Sequence, residues 1–186
     1  MTAPRTFAFT KTIAASFRWL WGSVAVIALD QITKYAVENF TPKEFSREII
    51  PGLLNLVHRH NPGVAFGILA DSESALLTAG LLLFSVAAIS VLTWLLVTNR
   101  AGGVQGRAGL ALILGGAAGN AIDRLIHGSV IDFVDVHLAG RHWPAFNVAD
   151  SAIVIGAGLV ILDLLRERTH SSPSDGAESH PGAAEA

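Results

Sequence analysis

Residues 75–97 read ALLTAGLLLFSVAAISVLTWLLV, 23 positions without a charged side chain or a proline. A bilayer core about 30 Å thick takes roughly 20 helical residues to cross. The run predicts a transmembrane helix, and with it a membrane fold for the chain. Ala108–Ile122, on its C-terminal side, is uncharged and rich in Gly and Ala; it spans only if it continues to about Ile126 and takes Asp123 and Arg124 into a protein-lined site. Phe146–Leu162 is interrupted only by Asp150. Toward the N-terminus, Trp19–Leu29 is apolar before Asp30 and Lys34 intervene. The pattern predicts an α-helical integral membrane protein with four transmembrane helices, at about 17–37, 75–97, 106–126 and 146–165.

Composition agrees. Of 186 residues, 51% are hydrophobic and 15% charged, where a soluble domain carries about 25% charged. Mean hydropathy is +0.49. A net charge of −2 gives no polyanion-binding signal, which argues against nucleic acid. The absence of cysteine excludes disulfides, thiolate metal sites and a cysteine nucleophile on this chain. No HExxH spacing occurs among the seven histidines, so no metal and no cofactor is expected for the chemistry. The first span has a basic start, but polar DQITK (30–34) at its end does not suit a cleavable signal peptide.

Four spans put both termini on one membrane side. That side would carry Arg5, Lys11, Arg18, Arg100, Arg107, Arg166 and Arg168. The other would carry Lys43, Arg47, Arg59 and Arg141, with Lys34 and Arg124 near helix ends. The bias favours cytoplasmic termini. The first outer loop, 38–73, contains short apolar runs broken by Pro51-Gly52 and Asn61-Pro62-Gly63. It predicts a small extracytoplasmic β-rich platform between helices 1 and 2. The segment 138–144, between helices 3 and 4, is a candidate flap with Gly140 as its hinge. Residues 1–16 form an N-terminal extension to a four-helix transmembrane unit at 17–167. Residues 168–186 are rich in Ser, Pro, Gly and Ala and are expected to be a disordered tail.

Ionisable groups within spans cost several kcal/mol unless paired, so each raises a functional question. Asp30 and Lys34 are spaced i,i+4 and could be a mutual ion pair. Asn120, Asp123 and Arg124 share one helix face, where Asp123 and Arg124 could pin helix ends. Gly115, Gly116 and Gly119 beside them permit close helix contact. Asn61 could simply form a turn. Asp150, just after Asn147, could be a helix N-terminal acid. Asp132 and Asp135 could be ordinary loop acids. Yet the loop joining the third and fourth spans brings Asp132 and Asp150 to one membrane face. Two carboxyls there would share a proton, one activating water and the other protonating a substrate atom. A proton-coupled transporter using Asp30, Asp123, Asp132 and Asp150 as a relay is the rival reading.

Five segments in order, DQITK (30–34), NPGVAFGIL (61–69), GGAAGNAIDR (115–124), GSVIDFVDVH (128–137) and FNVADSAI (146–153), resemble the lipoprotein signal peptidases, intramembrane aspartyl proteases. The resemblance covers most of residues 17–165; Val64 departs from the usual alanine. It implies a catalytic dyad of Asp132 and Asp150. It implies site-supporting or substrate-binding roles for Asp30, Lys34, Asn61, Gly116, Asn120, Asp123, Arg124, Asn147 and Ala149. Among these, Asn61 and Arg124 are expected at the substrate and Asp30 mainly in structure. The implied partners are lipid-modified prolipoproteins and membrane lipid. The implied location is a bacterial inner membrane, multi-pass, with the active site near the extracytoplasmic face and the enzyme working as a monomer.

Overall fold

The computed structural model describes residues 5–63 and 75–170. Among these residues are the helices α1 (Arg5–Phe40), α2 (Ala75–Val97), α3 (Val104–His127) and α4 (Val148–His170). Between them run β1 (Ser46–Ile50), β2 (Leu54–Asn61), β3 (Val130–Leu138) and β4 (Arg141–His142). Among the described residues, three stretches are long and apolar enough to cross a membrane: Leu76–Val97, Val104–His127 and Val148–Glu167. The helix α1 covers the expected span 17–37 but is not one of these. It also begins at Arg5, so the expected N-terminal extension is largely helical and continuous with the first span. The tail beyond residue 170 and the segment 64–74, which includes most of NPGVAFGIL and the end of the 38–73 platform, lie outside the described residues.

The helices are inside-out relative to a water-soluble bundle. On α1 the inward positions Ser23, Asp30 and Lys34 are buried, while Trp21, Leu29, Ile32 and Tyr35 are exposed. On α2, Leu76, Leu83 and Phe84 project outward. Apolar side chains facing outward cost little where the surroundings are hydrocarbon, and the polar groups must then find partners within the protein.

The helix α3 is the central element, packed on the other three and most closely on α4. Small residues make that approach possible. A Cβ on Gly109 would lie 2.5 Å from the Gly156 carbonyl oxygen, and one on Gly156 the same distance from the Gly109 oxygen. A Cβ on Gly116 would collide with the carbonyl of Ala149, which is itself fully buried. Gly116 and Ala149 are therefore the contact that brings the first turn of α4 against α3.

The sheet corrects the expectation of a platform built from the first loop alone. Its order is β1-β2-β3-β4, all antiparallel, so its halves come from two loops far apart in sequence. Asp132 and Asp135 are strand residues rather than loop acids. Register pairs Arg59 with Asp132 and Asn61 with Val130, which carries the end of β2 to the beginning of β3. The candidate flap is a hairpin, β3 to β4, turned through Ala139 (φ 51°) and Gly140 (φ 78°). Two consecutive positive φ values are the tight turn that suits twisted strands, so Gly140 serves a turn.

Candidate functional site

Asp132 is buried on β3, and Asp150 sits in the first turn of α4. Both line one cleft of about 560 Å³, together with Asn61, Asn120 and Arg124. Val130, Pro144, Phe146, Ile153 and Val154 give the rest of its wall an apolar character. The two carboxylates thus come from different elements, joined where α3, β3 and α4 converge.

Three asparagines hold them. Asn61 donates from Nδ2 to Asp132 Oδ2 at 3.0 Å, and Asn147 donates from Nδ2 to Asp132 Oδ1 at 2.8 Å. Asn120 donates from Nδ2 to Asp150 Oδ1 at 2.8 Å. The other end of each amide is also engaged, which fixes which way it faces. Asn61 Oδ1 accepts from the Gly63 N–H at 3.0 Å, so this residue both forms the turn and serves the carboxylate. Asn147 Oδ1 accepts from the Asp150 N–H at 2.9 Å, and the Asn147 N–H reaches Asp150 Oδ2 at 3.3 Å. That reciprocal pair is a capping box at the start of α4. Asp150 is therefore a helix N-terminal acid as well as a cleft residue.

Beneath the cleft lies a second layer centred on Lys34. Its Nζ contacts Asp30 Oδ2 at 2.8 Å, Asp123 Oδ2 at 2.7 Å and Asn120 Oδ1 at 2.9 Å. Three acceptors match the three donors of an ammonium group. The i,i+4 pair expected for Asp30 and Lys34 is present, but it is part of a triad. Asp30 Oδ1 also accepts the Ala149 N–H at 2.9 Å, satisfying one of the free donors at the α4 N-terminus. Asp123 Oδ2 accepts the Ile131 N–H at 3.2 Å, fastening β3 beside Asp132. The triad thus reaches both of the elements that carry the cleft carboxylates.

Arg124 does not pair with Asp123 at the helix end. Its Nη2 donates to the Gly63 carbonyl at 3.2 Å and its Nη1 to the Asn120 carbonyl at 3.4 Å, while Nε lies buried with no partner among the described residues. Gly128 (φ 72°) ends α3 instead, its N–H bonded to the Arg124 carbonyl at 3.1 Å.

Sequence reasoning misses Gln31, whose Nε2 donates to Asp123 Oδ1 at 2.9 Å and touches the Gly119 carbonyl at 3.3 Å. Its place inside DQITK was the only signal available. It also misses the Asn55–Asp135–His142 contacts on the outer part of the sheet, at 3.0–3.1 Å.

Electrostatically the cleft keeps one carboxyl partly protonated. Burial, and after it the neighbouring Asp150 carboxylate, push Asp132 up to about 7, against the pull of the Asn61 and Asn147 hydrogen bonds. Among the described residues, neither Asp132 nor Asp150 forms an ion pair; the Lys34 ammonium is committed to Asp30 and Asp123. A buried acid beside a second carboxyl can deliver a proton near neutral pH while its neighbour takes one.

The family model described as Signal peptidase (SPase) II matches residues 23–166. A lipoprotein signal peptidase of Paraburkholderia phytofirmans is 46% identical over 166 residues, covering 89% of this chain and 92% of that protein. One from Solibacter usitatus is 43% identical over 157 residues, covering 83% and 96%. A bacterial membrane enzyme solved by the in meso method at 2.3 Å resolution superposes with a TM-score of 0.74 at 29% identity, covering 88% of this chain and 95% of that one. With most of its length matched by that model and by relatives of near-equal length, the chain belongs to the signal peptidase II family.

Proposed function

We propose that this protein is a membrane-embedded aspartyl endopeptidase that removes signal peptides from lipid-modified prolipoproteins, cutting on the N-terminal side of the diacylglyceryl-cysteine. The observation that carries the proposal is the convergence of Asp132 and Asp150 on one apolar-walled cleft, each oriented by asparagine amides. In the reaction, one carboxylate takes a proton from a water between the pair. The other, protonated, hydrogen-bonds the scissile carbonyl oxygen. Attack, with transfer of that proton to the carbonyl oxygen, gives a neutral gem-diol; the carboxyl protonated by water then protonates the amide nitrogen, the C–N bond breaks as a diol hydroxyl returns its proton to the other carboxylate, and the nitrogen leaves as the new amino terminus of the lipidated cysteine. No acyl-enzyme forms.

The four helices would all span, with cytoplasmic termini and the cleft near the extracytoplasmic face. The lipid chains of the substrate then stay in the outer leaflet while the peptide crosses the dyad. The sheet forms the platform, and the hairpin through Gly140 overhangs the cleft. Arg124 and Asn61 stand at the cleft wall, where they can meet substrate backbone. The relay reading is less well supported, because Asp30, Asp123, Asp132 and Asp150 cluster around one end of α3 and α2 carries no ionisable group. The test is incubation of the purified protein in detergent with a lipidated prolipoprotein, reading signal-peptide release by mass. Absence of release from a folded sample would overturn the proposal.

A further inference from the structure

A second group of chemistry-bearing side chains lies on the sheet, outside the cleft. Glu38 near the end of α1 faces His58 and His60 of β2. Its Oε2 is 3.0 Å from His58 Nε2 and 3.1 Å from His60 Nε2. The far ring nitrogens are also engaged. His58 Nδ1 lies 3.0 Å from Thr41 Oγ1 and 3.3 Å from the Thr41 carbonyl oxygen. The Thr41 hydroxyl donates its proton to the Val37 carbonyl at 2.7 Å, so both Thr41 oxygens are acceptors toward His58. His58 therefore carries a proton on Nδ1. In the neutral ring, Nε2 then turns a lone pair toward a carboxylate oxygen. A proton or a metal ion between those two atoms would join them, and the third ligand atom, on His60, lies against the same carboxylate oxygen. His60 completes the group, with its Nδ1 3.0 Å from Ser129 Oγ.

We propose that Glu38, His58 and His60 form a binding site for a divalent transition-metal ion of the zinc class. The two ring centroids lie 5.4 Å apart with both Nε2 atoms turned to the one carboxylate oxygen. A single divalent ion satisfies all three ligand atoms. Tetrahedral zinc with bonds of ~2.0–2.1 Å sets its ligand atoms ~3.3 Å apart, a few tenths of an ångström from the separations seen. Imidazole and carboxylate suit this ion, and hydroxyl and carbonyl partners on Nδ1 are how metal-binding histidines are oriented. His58 is buried, whereas the His60 and Glu38 side chains are 31% and 29% exposed, which leaves an entry path and a fourth position for water. The ion would tie α1 to β2 one residue before Asn61, the residue that holds Asp132. Its role is to fasten that strand; it takes no part in the dyad chemistry, and the site does not depend on the peptidase reading.

The experiment uses the untagged full chain in detergent, stripped with EDTA and then titrated with Zn²⁺ or Co²⁺. One equivalent should bind, raise the thermal unfolding midpoint, and give cobalt the intense visible bands of four-coordinate geometry. His60→Ala and Glu38→Gln, at half-exposed positions, should weaken binding by ~100-fold, and His60→Asp, which keeps a ligand, should recover part of it. His142→Ala should change nothing, although Asp135, His137 and His142 are a second triad with metal-ligand spacing. Absence of binding at micromolar metal, an octahedral cobalt spectrum, or binding lost with His142 and kept in the His60 variant would each overturn the proposal. Should either single variant fail to fold, the wild-type cobalt spectrum and stoichiometry still decide.

Discussion

Asn120 donates to Asp150 across 2.8 Å, at the end of the α3–α4 contact where α4 begins. The amide can do so only because its oxygen faces Lys34, whose Nζ is 2.9 Å away. Lys34 also neutralises two buried carboxylates, Asp30 and Asp123. Replacing it with Met should therefore be far worse than losing one contact. Two uncompensated buried charges cost ~3–5 kcal/mol, and Asn120 becomes free to flip. The expected outcome is a lower unfolding midpoint and little folded protein, with partial rescue by adding Asp30→Asn. A Lys34→Met variant as stable as wild type would refute the buried triad.

Asp132→Asn and Asp150→Asn should each abolish signal-peptide release while the protein still folds. Losing one partner of an acid–base pair costs ~10²–10⁴-fold. Initial rates on a lipidated substrate provide the check; turnover within tenfold of wild type in either variant would remove the dyad.

How much of this is legible in the sequence depends on the range of the contacts. The uncharged run 75–97 coincides with α2, residue for residue, because lipid-facing helices need no partner to be recognised. The strand β3 is hidden. VIDFVDVHL shows no simple apolar–polar alternation, since both of its faces are buried through Phe133. Its pairing with β2 joins residues 69 to 82 positions apart, from Asn61–Val130 to Leu54–Val136, and local patterning does not reach that far. The Asn61 turn is visible in Asn-Pro-Gly, but its second bond, to Asp132, exists only once β2 and β3 are in register. Arg124 reads as a partner of its neighbour Asp123; the fold gives that carboxylate to Lys34 instead.

Gly116→Ala tests the helix contact that sets the α4 turn. The added methyl meets the Ala149 backbone carbonyl, which cannot swing away as a flexible side chain could. Overpacking of this kind costs ~1–3 kcal/mol, and any shift of Ala149 moves Asp150 with it. Activity should fall more than stability does. Unchanged activity with an unchanged unfolding midpoint would show that α3 and α4 approach less closely.

Asn61→Ala should move the pH dependence of turnover. The Asn61 hydrogen bond favours the ionised form of Asp132, so its loss raises that carboxyl further and carries the alkaline limb of the profile upward. A purely structural role for Asn61 would lower the rate without moving the limb. Rate against pH for the variant and wild type distinguishes the two.

Stability gives an independent reading of Asp132. Its carboxyl is held near 7 in the fold against an ordinary 3.8. Between those values the unfolded chain has released the proton while the folded one keeps it, so the unfolded state binds fewer protons. Stability should therefore fall as pH rises from about 4 to about 7, by at most ~4 kcal/mol from this group, and flatten above. Asp132→Asn carries a constant cost, because its amide cannot accept from both Asn61 and Asn147, but it removes the slope. Plotted against pH, the unfolding midpoint of the variant should gain on wild type through that window and run parallel to it at higher pH. Turnover should follow the opposite course in part: it should rise as the pair loses its first proton and fall as it loses the second, with the limbs belonging to the pair rather than to either residue. Parallel midpoint curves from pH 4 to 8 would mean that Asp132 titrates as an exposed acid, and the shared-proton mechanism would lose its basis.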